Sequence, residues 1–180
     1  MKPPFLFLLL LVLLPVSSAL QDLLPGIPPH GERIQILPIV FCLGALALPT
    51  MPALFLSLAA AVVQGLALLQ VQSGQAELGL TLPVVFFLGW GLLLRMAGEA
   101  TLGMRWELHA AGSFLVTLTM LAGEFLILCV KRGGFPVDGP VLMKIFVPAV
   151  ASLLLSPPAY LLLRPLTAPP AAEPGELHAD

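Results

Sequence analysis

Charge is what this chain has least of. Asp, Glu, Lys and Arg make up only 10% of its residues, whereas 58% are hydrophobic and the mean hydropathy is +1.01. A soluble domain of 180 residues has too much surface to be covered by so few charges. The apolar excess therefore requires lipid. The basic residues are scattered and the formal net charge is −2, so there is no basic patch to hold nucleic acid. Cysteine is nearly absent as well. Cys42 and Cys129 lie in separate apolar runs with no CxxC spacing and no neighbouring His, and they read as buried, unpaired thiols.

Catalytic signatures are also missing. The sequence has no HExxH, no GxSxG and no glycine-rich loop ending in Lys-Ser or Lys-Thr. His30, His109 and His178 fall in a loop, at a helix start and in the tail, a distribution that does not define one metal site. No enzyme, cofactor or metal is indicated.

What is present is a series of six hydrophobic runs, Pro4–Leu20, Ile34–Leu48, Ala53–Val71, Leu78–Ala97, Leu108–Val130 and Val141–Leu163. A hydrocarbon core of ~30 Å needs roughly 20 helical residues to cross. Five runs suit that length. The second, closed by Pro49-Thr-Met-Pro52, is short, and either continues through Pro49 or stays buried against its neighbour. Lipid offers no hydrogen bonds to the backbone, so the spanning segments must be helices. The expectation is an all-α, polytopic integral membrane bundle of about six transmembrane helices over residues 1–166, followed by a disordered tail over 167–180 rich in Pro and small residues.

The first run has a second reading. Lys2, apolar Phe5–Leu14 and Ser17-Ser18-Ala19 follow the three-part pattern of a signal peptide. Retention as a first membrane helix is the expectation, because polytopic proteins seldom need a removable signal. Basic residues do not set the orientation. With the N-terminus inside, Lys2, Arg95, Arg105 and Arg164 lie on one side and Arg33, Lys131, Arg132 and Lys144 on the other. Trp106 beside Arg105 suits an interfacial anchor.

Small residues mark packing faces. Ser57, Ala61 and Gly65 recur every four residues in the third run, and Ser152 and Ser156 share that spacing in the sixth. Such stripes let helices approach closely, within the bundle or against a partner. Gln64 and Gln70 can add hydrogen bonds between helices, and Pro157-Pro158 is expected to kink the sixth helix.

One carboxylate stands inside a span, in the stretch LTMLAGEFLILCV. Glu124 precedes Lys131 by seven residues, about 10 Å along a helix. Charges at such depth usually face protein or water. Lys144 enters the next helix from the same side of the membrane, so a snorkelling Lys144 is the expected partner of Glu124 and the pair a tie between the last two helices. A ligand, ion or proton role for Glu124 is the sharper alternative.

Several segments together resemble the rod shape-determining MreD family. They are ALQDLLPGIP (Ala19–Pro28), ERIQILPIVFCLGALALP (Glu32–Pro49), VVQGLALLQVQSGQAELG (Val62–Gly79) and VPAVASLLLSPPAYLLLRPL (Val147–Leu166). The family's third-helix Asp falls on Leu69 here, with Gln70 the nearest polar group, and the step from Ser73-Gly74 to Leu78-Gly79 is one residue longer. The resemblance implies a non-enzymatic inner-membrane scaffold of the bacterial cell-wall elongation machinery. Its partners would be an MreC-like membrane protein and, through it, an MreB-like filament and the peptidoglycan synthases. The family is similar in helical architecture to substrate-binding subunits of energy-coupling-factor vitamin transporters. A solute-binding subunit with a midplane pocket recruiting Glu124, Gln64 or Trp90 is therefore the competing expectation.

Overall fold

The structure, a computed structural model, describes residues 3–26, 33–67, 70–72, 75–77, 81–101, 106–135 and 138–167. Among these are six helices: α1 (Pro3–Leu23), α2 (Leu37–Ala47), α3 (Thr50–Ala67), α4 (Thr81–Ala100), α5 (Trp106–Arg132) and α6 (Gly139–Thr167). All but α2 are long and apolar enough to cross a membrane. The chain is a helical, multi-pass membrane bundle.

The second helix departs from its expected part. At 11 residues it is about 16 Å long, roughly half a bilayer core. It does not continue through Pro49. The chain leaves the helix at Leu48, whose backbone is extended, and Thr50 begins α3 at once. Every residue from Leu37 to Leu46 is buried, and α2 packs against each of the other five helices. A helix that is apolar all round has no polar face to offer water, so an enclosed position is the one that suits it. Pro38 lies in the first turn, where a missing N–H costs no helical hydrogen bond.

Around α2 the bundle forms two long hairpins. Extensive packing joins α3 to α4, and α5 to α6, while α4 and α5 meet more sparingly. The short connection between α5 and α6 therefore does produce neighbours, as its length implies. Two short strands, β1 (Gln70–Gln72) and β2 (Gln75–Glu77), pair antiparallel with Val71 opposite Ala76 and lie between α3 and α4. The third helix thus ends at Ala67, before Gln70 and Val71, which the apolar pattern had assigned to it. The sixth helix continues through Pro148, Pro157, Pro158 and Pro165 to Thr167, the first residue assigned to the tail; residues 168–180 lie outside the described residues.

Close approach is achieved through small residues. A Cβ added at Gly91 of α4 would fall on the Ser57 hydroxyl of α3, and one at Gly112 of α5 would come within 2.7 Å of Leu94. Lipid is as apolar as a leucine side chain, so such packing, rather than escape from water, holds helices together here. Phe41 and Phe87 add an edge-on ring contact between α2 and α4, with centroids 4.9 Å apart.

Gly91→Ala is expected to destabilise the detergent-solubilised protein by about 1–2 kcal/mol through overpacking. Gly89→Ala, two residues away with nothing within 4 Å of the added carbon, should be neutral or slightly stabilising. Thermal unfolding of the two variants checks this, and equal behaviour would contradict the packing described.

Candidate functional site

Two polar assemblies lie inside the bundle. The larger joins α5, α6 and α2. On α5, His109, Ser113 and Thr117 recur every four residues and face Ser152 and Ser156 of α6; all five are fully buried. The Ser156 hydroxyl lies 2.8 Å from His109 Nδ1 and 2.9 Å from Ser113 Oγ. His109 Nε2 lies 3.1 Å from the Ile39 carbonyl of α2. A carbonyl oxygen only accepts, so Nε2 carries the ring proton and Nδ1 accepts from Ser156. Ser152 donates chiefly to the Ala149 carbonyl of its own helix at 2.8 Å and shares that proton with the Ser113 carbonyl at 3.2 Å, while Thr117 donates to the Ser113 carbonyl at 2.8 Å. The Tyr160 ring packs beside the imidazole, with centroids 5.8 Å apart.

Ser156 and His109 thus have the polarity of a nucleophile and its base, and a backbone carbonyl fixes the imidazole. The sequence showed no such pair because the two lie 47 residues apart and each was read alone. The signal that could have found it is the shared four-residue spacing, which places a hydroxyl stripe on each of two neighbouring helices. With both side chains at 0% exposure, however, no substrate reaches the hydroxyl in this conformation. The geometry ties three helices together, each hydrogen bond contributing about 1 kcal/mol.

The second assembly lies toward the other end of α5. Gln64 of α3 donates through Nε2 to Glu124 Oε1 at 3.4 Å. Gln64 is 4% exposed and its Oε1 has no donor among the described residues. The expected ion pair of Glu124 with Lys144 is not formed. Lys144 is exposed in the second turn of α6, and neither salt bridge among the described residues includes it. Depth along the helices was right for a meeting, but rotation was not, because Glu124 is directed toward α3. Nearby on α5, Thr119 accepts from Trp90 Nε1 at 2.9 Å, so Trp90 ties α4 to α5.

The remaining sequence-chosen residues fall into place around these assemblies. Ser57, Ala61 and Gly65 are buried, so this stripe packs within the bundle and presents no face to a partner subunit. Ser57 donates to the Ala53 carbonyl at 2.8 Å. Gln70 lies on β1, beyond the end of α3. Trp106 is the exposed first residue of α5. Cys42 and Cys129 are free and buried. No group of three His, Cys, Asp or Glu side chains suited to a metal occurs among the described residues.

The fold and these buried ties define a class, a helical multi-pass membrane protein. Compared with protein-family models, with curated proteins and with solved structures, the chain matches none.

A double-mutant cycle separates the two partners considered for Glu124. Gln64→Leu and Glu124→Leu should couple by about 0.5–1 kcal/mol in detergent unfolding, whereas Lys144→Met and Glu124→Leu should be additive. Coupling to Lys144 with none to Gln64 would reverse this assignment.

Proposed function

We propose that this protein is a non-enzymatic scaffold of the bacterial inner membrane, working by helix packing within the cell-wall elongation machinery. The observation that carries the non-enzymatic part is the enclosure of the Ser156–His109–Ser113 cluster. The groups best suited to chemistry are spent on holding α2, α5 and α6 in register. A protein built this way offers partners a fixed outer surface, with Phe5, Val12, Phe55, Val85 and Leu162 among its exposed apolar residues. The cell-shape assignment is supported by the resemblance of residues 19–28, 32–49, 62–79 and 147–166 to the MreD family. On that reading the membrane partner is an MreC-like protein, linked to an MreB-like filament and peptidoglycan synthases.

The competing reading, a solute-binding subunit of a vitamin transporter, is favoured by one observation. Gln64 and Glu124 converge from two helices, as a polar contact within a binding site would require. Depletion in the native cell followed by microscopy distinguishes the two. Loss of rod geometry, with co-purification of an MreC-like protein, is the expected outcome. Unchanged geometry together with a new vitamin requirement would replace the scaffold by the transporter.

A further inference from the structure

Two lysines beside the turn between α5 and α6 have no acidic partner among the described residues. Lys131 is exposed at the close of α5 and Lys144 in the second turn of α6, and neither salt bridge includes either of them. From position 131 to 144 the sequence sets Lys131, Arg132 and Lys144 against one acid, the exposed Asp138. Other charges are engaged: Arg33 is neutralised by Asp22 at 2.7 Å, and Glu124 accepts from Gln64. Nor is Lys131 needed to close its helix, because the Gly133 and Gly134 amides take the Val130 and Cys129 carbonyls. The hairpin end keeps a net positive charge.

Depth sets the two lysines apart. Lys131 is the last residue of the apolar stretch of α5, at the edge of the span. The stretch of α6 begins at Gly139, so Lys144 lies five residues inside it, about 7.5 Å along the axis. An exposed ammonium at that depth does not stay in hydrocarbon; it follows its flexible stem to headgroup level. Deeper on the same face of α6 come Val147, Ala151 and Leu155, at i+3, i+7 and i+11. All three are apolar and at least partly exposed, and the small Ala151 stands between two larger side chains.

What covers this face has to bring negative charge at headgroup depth and apolar length beneath it. An anionic phospholipid carries both in one molecule. A zwitterionic lipid offsets its phosphate with its own cation, so a positive hairpin end favours the headgroup with net negative charge. We propose that α6 seats an anionic phospholipid, its phosphate on Lys144 and an acyl chain along Val147, Ala151 and Leu155. Lys131 adds to the attraction at the bilayer edge. The site is independent of the scaffold reading, since a lipid can seat on α6 whatever the bundle does.

The test titrates the full-length protein in neutral detergent with dioleoyl phosphatidylglycerol, dioleoyl phosphatidylcholine or inorganic phosphate, and follows Tm. A saturable rise of roughly 5 °C is expected with phosphatidylglycerol, and little with the other two. Lys144→Gln should weaken the apparent affinity for phosphatidylglycerol roughly fivefold, and Lys131→Gln should add a similar factor. Both side chains are exposed, so the variants keep the fold. Arg33→Gln, which removes the same charge from the Asp22 pair, should leave the lipid response intact. Equal shifts with both lipids, a phosphatidylglycerol response that survives both lysine substitutions, or its equal loss in Arg33→Gln would overturn the proposal. So would a co-purifying membrane protein whose binding, in place of the lipid's, depends on Lys144.

Discussion

A half-length helix enclosed in a membrane protein imposes one demand on everything around it: the backbone groups at its ends must find partners without water. The structure meets that demand for α2 from several directions. At its start, the amides of Ile39 and Val40 both donate to the Ile36 carbonyl, and Pro38 has no N–H to satisfy. At its close, the Leu48 amide returns to Gly44, while the Leu48 carbonyl accepts from Arg95 of α4 at 2.9 Å. Between the ends, the Ile39 carbonyl also takes the His109 ring of α5. Two of the most polar side chains in the bundle thus serve the backbone of its most apolar helix.

The rest of the architecture follows from that arrangement. The α3–α4 and α5–α6 hairpins meet each other sparingly and are joined through α2, so its all-round burial is what makes them one body. Side-chain hydrogen bonds then supplement the packing at separate levels, with Ser156 to His109 in one region and Trp90 to Thr119 and Gln64 to Glu124 in others. Each is modest, because helices in lipid find alternative partners when such a bond is lost. Their effect is register. A bundle keyed internally by polar contacts keeps its outward-facing residues in place, which is what the proposed scaffold role would need.

Much of the fold was legible because lipid makes hydropathy informative: runs of apolar residues bounded by Pro, Gly and charge gave the order and number of helices, with ends shifted by only a few residues in most cases. Even the shortness of α2 was visible. Its centrality was not, since an apolar stretch looks the same whether lipid or protein surrounds it. Rotation about the helix axis was the other missing quantity. Lys144 was close enough to Glu124 in depth, but the sequence carried no information on which way Glu124 faced, and α3 received it. The spacing of the histidines pointed to no metal site, and nothing in it showed that the His109 ring would be held by Ser156, one of the serines of the packing stripe, and by the Ile39 carbonyl.

The second helix lies at the middle of the bundle, within reach of helices from both hairpins. Cysteine cross-linking tests this directly in a Cys129→Ser background. Gly112→Cys on α5 should bond oxidatively with native Cys42, since its Cβ would lie 3.7 Å from that sulfur. Leu46→Cys should likewise bond with Gly98→Cys on α4, where the added Cβ lies 3.3 Å from Leu46, in a chain whose Cys42 is also replaced by Ser. Both cross-links are expected to form in membranes before unfolding. Failure of both, with all thiols present and reactive after denaturation, would contradict it.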